Sequence, residues 1–137
     1  KSVSGMASQL VLPGDNPDVA GLLMKHESGA VSTLSAGYAS ASEYYLMNIY
    51  GKEMTAYYDL HNGLRTLERH SDDVVPVSCE NNDTIAEELQ EFAACIRDGA
   101  KPTVDGQRAT ESLAVILGGV RSVKEGRTVD VAEILEG

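Results

Sequence analysis

The sequence predicts an α+β fold: an open, mostly antiparallel sheet of about six strands with two helices packed on one face. Three observations lead to this prediction. The first 82 residues alternate β-forming runs with turn clusters. Residues 83–131 contain two stretches whose apolar residues recur at helical spacing. The turns between the runs are short, and short turns join antiparallel strands.

Six strands are predicted, each bounded by turn-forming residues. They comprise residues 3–12, 19–26, 30–38, 44–50, 54–60 and 64–69. The Pro-Gly-Asp-Asn-Pro cluster at 13–17 ends the first strand. The turns at 27–29 and 51–53 each close a hairpin, and Asn62-Gly63 is the strongest short hairpin signal in the chain.

The first helix is predicted to begin at Thr84, which forms a capping box with Glu87. Gly99 suits the left-handed position after its last turn, and Pro102 keeps the helix from resuming. Its apolar stripe consists of Ile85, Leu89, Phe92, Ala93 and Ile96. Because the opposite side is acidic, the stripe is expected to cover the sheet.

The second helix is predicted between a cap at Asp105 and Gly126. Its apolar stripe consists of Ala109, Leu113, Ile116, Leu117, Val120 and Val123. Gly118 and Gly119 interrupt the pattern and cost about 1 kcal/mol each relative to alanine unless close packing requires them. We expect Leu89 and Phe92 of the first helix and Leu113 of the second to be buried against the sheet.

Composition limits the classes of function. At 137 residues the chain is expected to be a single domain, residues 1–137. The net charge of −10 and the absence of a basic cluster argue against nucleic acid, and no apolar run approaches the length of a membrane span. Cys79 and Cys95 lack metal-ligand spacing, and free thiols in a reducing cytoplasm are the preferred interpretation. Because the chain begins at Lys1, we expect a piece excised from a longer protein.

The predicted strand at 44–50 is apolar on both faces. One face carries Tyr44, Leu46 and Tyr50, and the other carries Met47 and Ile49. If helices cover only one face, the other leaves large apolar groups in water, and such patches usually mark interfaces. Tyr44, Leu46 and Tyr50 are therefore predicted to form an oligomer interface, in a homodimer or a higher homo-oligomer. The alternative is a scatter of ordinary surface tyrosines.

The remaining reactive side chains predict no catalytic, cofactor-binding or metal-binding residue in this chain. His26, His61 and His70 stand apart from one another and from the cysteines, so no metal-ligand spacing results. The acidic residues of the first helix are explained by solvation and by the helix dipole. The serines include no Gly-x-Ser-x-Gly nucleophile elbow.

Several short stretches, in their order and spacing, resemble the C-terminal domain of the Gfo/Idh/MocA oxidoreductases (glucose-fructose oxidoreductase, inositol dehydrogenase and rhizopine catabolism). The resemblance covers residues 18–131. It is carried by residues 18–20, 28–34, 49–53 (Ile-Tyr-Gly-Lys-Glu), 87–92, 96–106 (Ile-Arg-Asp-Gly-Ala-Lys-Pro-Thr-Val-Asp-Gly) and 122–129. The family often has a second glycine just after the Ile-Tyr-Gly turn, where this chain has Met54.

The resemblance implies a partner domain and a cofactor that this chain does not itself hold. Family members begin with a Rossmann domain that binds NAD or NADP and carries a catalytic lysine in a Glu-Lys-Pro motif. Lys101-Pro102 follows Ala100 rather than glutamate, so the lysine role is not transferred to it. The family's Asp and His helix would lie before Val3.

Two functions are therefore open. One is the substrate-side and oligomerisation domain of an NAD(P)-dependent oxidoreductase acting on a sugar, polyol or related compound, inactive on its own. The other is a stand-alone dimerising or small-ligand-binding α+β module. The sequence selects neither the substrate nor NAD over NADP, because the residues that choose them lie outside the chain.

Overall fold

The protein is described by a computed structural model covering residues 1–80 and 82–137. The α+β class and the antiparallel pairing are confirmed. The described residues form two four-stranded sheets rather than one sheet of about six strands. They also divide into two compact units, one made of residues 1–40 and 94–137 and the other of residues 41–93.

The first unit contains a sheet with the strand order β3-β2-β1-β8. Its strands are β1 (Ser2–Ser8), β2 (Val19–Lys25), β3 (Val31–Gly37) and β8 (Val129–Asp130), all antiparallel to their neighbours. The first strand ends earlier than predicted, because the Asp18 carboxylate accepts hydrogen bonds from the backbone N–H groups of Leu10, Val11 and Leu12 and folds that segment into a loop. These bonds lower the Asp18 pKa.

Helix α2 (Gly106–Glu125) lies against β1. Both predicted ends are confirmed: the Asp105 carboxylate accepts from the Arg108 N–H, and Gly126 is left-handed with φ 65°. The side that meets the sheet carries the small residues Ala114, Gly118 and Ser122. Most of the large stripe predicted from the sequence faces outward, but Val123 at its end is half-buried and lies beside Gly5 of β1. Leu113 is 57% exposed, so its predicted burial is wrong.

The two glycines of α2 are explained by its closeness to the sheet. A Cβ atom on Gly118 would lie 3.0 Å from Cγ1 of Val3, and one on Gly119 would lie 2.7 Å from Cδ2 of Leu22. Close packing therefore offsets the helix-propensity cost of two glycines. Ser122 adds a polar connection, since its hydroxyl accepts from the Gly5 N–H and donates to the Arg127 carbonyl oxygen.

The second unit contains a sheet with the strand order β4-β5-β6-β7. Its strands are β4 (Leu46–Tyr50), β5 (Met54–Asp59), β6 (Gly63–Glu68) and β7 (Val74–Pro76), joined by antiparallel pairing throughout. Strand β4 begins at Leu46, two residues later than predicted. The predicted hairpin turn at Asn62-Gly63 is confirmed, with Gly63 at φ 67°.

Helix α1 (Thr84–Asp98) starts in the second unit and ends in the first, and a short helix α3 (Ala132–Leu135) follows β8. The cap of α1 is Asp83, whose carboxylate accepts from the Ala86 N–H, so the capping box predicted at Thr84 is wrong by one residue. Its apolar stripe is exposed: Leu89 is 64% and Phe92 66% exposed. Their predicted burial against a sheet is therefore wrong. The described residues include no helix with the length and apolar character of a membrane span.

Candidate subunit interface

Strand β4 is the outermost strand of the second sheet, and all five of its residues are exposed. The Leu60 N–H bonds to the Tyr45 carbonyl and the Gly51 N–H to the Met54 carbonyl. Because hydrogen-bonded pairs alternate along an antiparallel ladder, the backbone groups of Leu46, Asn48 and Tyr50 point away from β5. Within the described residues that edge has no paired strand. Uncovered edges of this kind are templates for contact with another chain.

The register of the second sheet separates its two faces. Leu46 lies opposite Asp59, Asn48 opposite Tyr57 and Tyr50 opposite Thr55. Arg65 continues the Asn48 row on the next strand, and Leu67 and Val74 continue the Tyr50 row. This set, the Leu46 face, mixes apolar, aromatic and charged groups. Tyrosine and arginine are enriched in the centres of protein interfaces.

The opposite face carries Met47 and Ile49 from β4, with Ala56 and Tyr58 beside them on β5 and Val75 on β7. Thr66 and Glu68 of β6 also lie on it, and it carries fewer polar side chains than the Leu46 face. Leu46 and Met47 are 62% and 56% exposed, so the two faces are equally open within this unit. We call this second surface the Met47 face.

The three residues predicted as interface differ in their placement. Leu46 and Tyr50 share the Leu46 face, where the Tyr50 hydroxyl accepts a hydrogen bond from the Asn48 amide. Tyr44 precedes the strand, and its ring lies 5.7 Å from that of His61 in the turn between β5 and β6. The structure thus brings two of the three together on one face and places the third at the end of that sheet.

An ion pair that the sequence interpretation missed joins the two strands of the β5–β6 hairpin. The nearly buried Asp59 carboxylate accepts from the backbone N–H groups of His61 and Asn62 and from the Asn62 side chain, and it pairs with Arg65. Burial by itself raises the Asp59 pKa, but these donors outweigh it, so the net pKa is lowered. The Asp-x-x-Asn spacing ahead of Gly63 is a turn signal that could have indicated this arrangement.

Arg65 also lies in the centre of the Leu46 face. Its Nε is buried and, among the described residues, has no hydrogen-bond partner. The pairing with Asp59 fixes the guanidinium, and a fixed arginine loses less conformational entropy when it binds a further acceptor. A polar group on an incoming partner can bond to the exposed part of the guanidinium, since the side chain is 33% exposed, whereas the buried Nε is out of its reach.

The other predicted candidates occupy separate places. His26 lies within hydrogen-bond distance of the Ser32 hydroxyl, and His70 accepts from the Arg69 guanidinium. Cys79 and Cys95 are free thiols. Searching the described residues reveals no group of three or more His, Cys, Asp or Glu side chains able to hold a metal ion.

The N-termini of the two long helices are the places in this fold where the phosphates of a dinucleotide could bind. Phosphate-binding helices present unoccupied N–H groups at their first turn. Here the first turns of α1 and α2 are occupied by the carboxylates of Asp83 and Asp105. A pyrophosphate at either place would face a negative charge, so these helix ends do not fit NAD or NADP.

Together, the fold and this surface define an α+β domain that presents an open antiparallel sheet. A family model described as "Oxidoreductase family, C-terminal alpha/beta domain" matches residues 2–131. The chain belongs to this family, the Gfo/Idh/MocA oxidoreductases, and the resemblance found in the sequence is confirmed.

Individual relatives agree with this assignment. The chain is 29% identical over 133 residues to D-apiose dehydrogenase from Paraburkholderia graminis, covering 85% of this chain and 36% of that protein. A solved oxidoreductase structure from Desulfitobacterium hafniense superposes with TM-score 0.89 at 26% identity, covering 98% of this chain and 43% of the Desulfitobacterium chain. An oxidoreductase from Agrobacterium radiobacter, solved in complex with NAD+, L-tartaric acid and magnesium, shares the fold, with TM-score 0.82 at 18% identity. The match covers 97% of this chain and 44% of the Agrobacterium chain. The chain thus spans less than half the length of these proteins.

Proposed function

We propose that this chain is the substrate-side and assembly domain of an NAD(P)-dependent oxidoreductase that acts on a sugar, polyol or related compound. The family match over residues 2–131 carries the proposal. The identity to D-apiose dehydrogenase supports a carbohydrate substrate for the whole protein. The free thiols accord with the cytoplasm as its location.

The proposal assigns NAD(P) binding to a Rossmann domain elsewhere in the polypeptide. Relatives are more than twice as long as this chain, and the helix ends described above do not suit a pyrophosphate. The isolated chain is therefore expected to be inactive. Its contribution to catalysis is to shape the substrate side of the site and to hold subunits together.

Assembly is proposed to use the Leu46 face of the second sheet. The supporting observation is a face that combines exposed Leu46 and Tyr50 with the fixed Arg65, at an edge whose backbone groups point outward. A homodimer would place the same face of two copies together, so the contact would be isologous. An interface of about 1,000 Å² or more is needed for a stable contact of this kind.

Cofactor titration tests the assignment of the chemistry. NADH and NADPH are titrated into the purified chain and followed by nucleotide fluorescence and by calorimetry. We expect no saturable binding at micromolar nucleotide and no dehydrogenase activity with aldoses or polyols. The polypeptide encoded by the full reading frame, tested in parallel, is expected to bind one of the two nucleotides. Micromolar binding by this chain alone would contradict the proposal.

A further inference from the structure

One end of the second sheet carries a cleft of about 660 Å³. The turn between β4 and β5 forms one side of it, and the end of β6 forms the other. The lining residues are Lys52, Glu53, Met54, Glu68, Arg69 and His70. A backbone hydrogen bond joins the two sides, since the Arg69 N–H donates to the Glu53 carbonyl oxygen at 2.8 Å. The cleft has the volume of a small-molecule site.

The guanidinium of Arg69 is held at this cleft by two acceptors. Its Nη1 donates to the Lys52 carbonyl oxygen at 3.1 Å, and its Nε donates to Nε2 of His70 at 3.1 Å. Neither acceptor is an anion, so these bonds orient the guanidinium without neutralising its charge. Four other arginines each pair with a carboxylate: Arg65, Arg97, Arg121 and Arg127. Within the described residues Arg69 forms no such pair.

The backbone of His70 adopts an uncommon conformation. Its φ is 66°, and no other non-glycine residue in the described part of the chain has a positive φ. A side chain in this left-handed region is strained, and strained residues cluster at functional sites. In this conformation the imidazole accepts from Arg69. The strained residue therefore helps to fix the guanidinium at the cleft.

The charges around the cleft define the chemistry of a ligand. Arginine has five N–H donors, and those of Arg69 that are not used above suit the oxygens of a phosphate or a carboxylate. The Lys52 ammonium lies 3.4 Å from the Glu53 carboxylate, but both side chains are exposed, so this pair is weak. The carboxylates of Glu53 and Glu68 repel a bare anion and accept hydrogen bonds from hydroxyl groups. A ligand that fits therefore combines one anionic group with several hydroxyls.

We infer that this cleft binds a small polyhydroxylated anion, either a sugar phosphate or a sugar acid. Arg69 binds the anionic group, Lys52 adds a second positive charge, and Glu68 accepts from the hydroxyls of the ligand. Met54 and Glu68 lie on the Met47 face, so the proposed subunit contact on the Leu46 face does not use them. The inference goes beyond the proposed function, because it requires neither NAD(P) nor a further domain.

Calorimetric and NMR titrations of this chain test the inference with glucose 6-phosphate, gluconate, glucose and inorganic phosphate. We expect saturable binding of glucose 6-phosphate or gluconate with a Kd of about 1 mM or below, and affinities about tenfold lower or less for the other two probes. Binding of only one of the two hydroxylated anions would identify the phosphate ester or the carboxylate as the group that Arg69 recognises. Equal affinity for glucose or for inorganic phosphate would overturn the inference. So would the absence of saturable binding of both hydroxylated anions below about 10 mM.

Arg69→Gln is the principal variant, and Arg108→Gln is its matched control. The Nη1 of Arg108 also donates to a backbone carbonyl, that of Thr103, at 3.2 Å in an exposed part of the chain. We expect Arg69→Gln to weaken binding about tenfold or more, because a charge-assisted contact is lost, and Arg108→Gln to leave it unchanged. Equal affinities of the two variants would overturn the inference.

His70→Gly separates a role in binding from a role in holding the turn. Glycine adopts a φ of 66° without strain, so the variant should unfold close to the wild-type midpoint. It removes the acceptor of the Arg69 Nε, so we expect the affinity for the hydroxylated anion to fall about threefold or more. A wild-type affinity in His70→Gly would overturn the role assigned to the strained residue.

Discussion

The two sheets of this protein differ in how their faces are covered. The first sheet carries α2 at such short range that glycine, alanine and serine are required at the contact. The second sheet leaves both faces of β4 open within its unit. In the first sheet, small residues at the contact allow the backbones of α2 and β1 to approach, whereas in the second sheet large side chains of β4 are exposed on both faces. The first sheet is therefore held to its helix by close backbone approach, whereas the second sheet is the one to which we assign the proposed subunit contact.

The largest effect is expected from Gly5→Ala, at the closest approach of α2 and β1. The new Cβ would lie 2.9 Å from the Gly119 carbonyl oxygen and 2.9 Å from Cδ2 of Leu22. A backbone atom cannot move aside as a side chain can, so we expect a loss of about 1–3 kcal/mol in the free energy of unfolding. Urea denaturation measures it. Gly106→Ala, where nothing lies within 4 Å, is the control and should leave stability unchanged or slightly higher.

Ser122→Ala tests the polar connection at the same contact. The substitution leaves the Gly5 N–H without its acceptor and the Arg127 carbonyl without its donor. Because these two backbone groups are part-buried, leaving them unpaired should lower the free energy of unfolding by about 1–2 kcal/mol, a change that urea denaturation detects. Ser112→Ala removes a hydroxyl that bonds to the Arg108 carbonyl on the exposed side of the same helix. If both variants lost equal stability, the contact would not depend on Ser122.

A smaller effect on the free energy of unfolding is expected beside the edge strand β8 of the first sheet, where Arg127 pairs with Glu125 and Glu133. The hydrogen bond from Arg127 is the largest cause that lowers the Glu133 pKa, to about 2 from 4.5. Because the folded pKa is below the ordinary value, the stabilisation is present above pH 4.5 and is lost as the pH falls towards 2.

Glu133→Gln should therefore flatten the fall in stability between about pH 5 and pH 2, measured by urea denaturation across that range. Glu136→Gln, three residues further along, serves as the control and should keep the wild-type slope. Added salt should reduce the difference in pH slope between Glu133→Gln and the wild type, because Arg127 and Glu133 are both partly exposed and their attraction is screened. An identical slope in Glu133→Gln and the wild type would contradict a stabilising role for this pair.

The sequence predicted the local elements better than the assembly of elements. Asp105 and Gly126 mark the ends of α2 because caps depend on neighbouring residues alone. The side of α2 that meets the sheet was predicted wrongly, because a stripe of leucine and isoleucine is a stronger pattern than a row of alanine, glycine and serine. Backbone distance decides which row is buried, and distance is a tertiary property. Gly118 and Gly119 were the residues in the sequence that indicated a close approach of the helix to the sheet.

At the candidate interface, too, the sequence predicted the local strand pattern but not the contacts between strands. Strand periodicity placed Leu46 and Tyr50 on one face and Met47 and Ile49 on the other, and the register confirms both groups. Arg65 could not be assigned to the Leu46 face until the pairing of β5 and β6 was known, because it lies fifteen residues after Tyr50 in the chain. Strand periodicity treats the two faces alike, so the choice between them needed the sheet register that places Arg65 beside Asn48 and Tyr57.

Sedimentation of two neighbouring variants tests the central claim most directly. Leu46→Lys and Met47→Lys add the same charge to adjacent positions of similar exposure on opposite faces of β4. At tens of micromolar we expect the wild type and Met47→Lys to sediment as oligomers and Leu46→Lys as a monomer, because a buried unpaired charge opposes association. A monomeric wild type, or an oligomer that survives Leu46→Lys and is lost in Met47→Lys, would contradict the account.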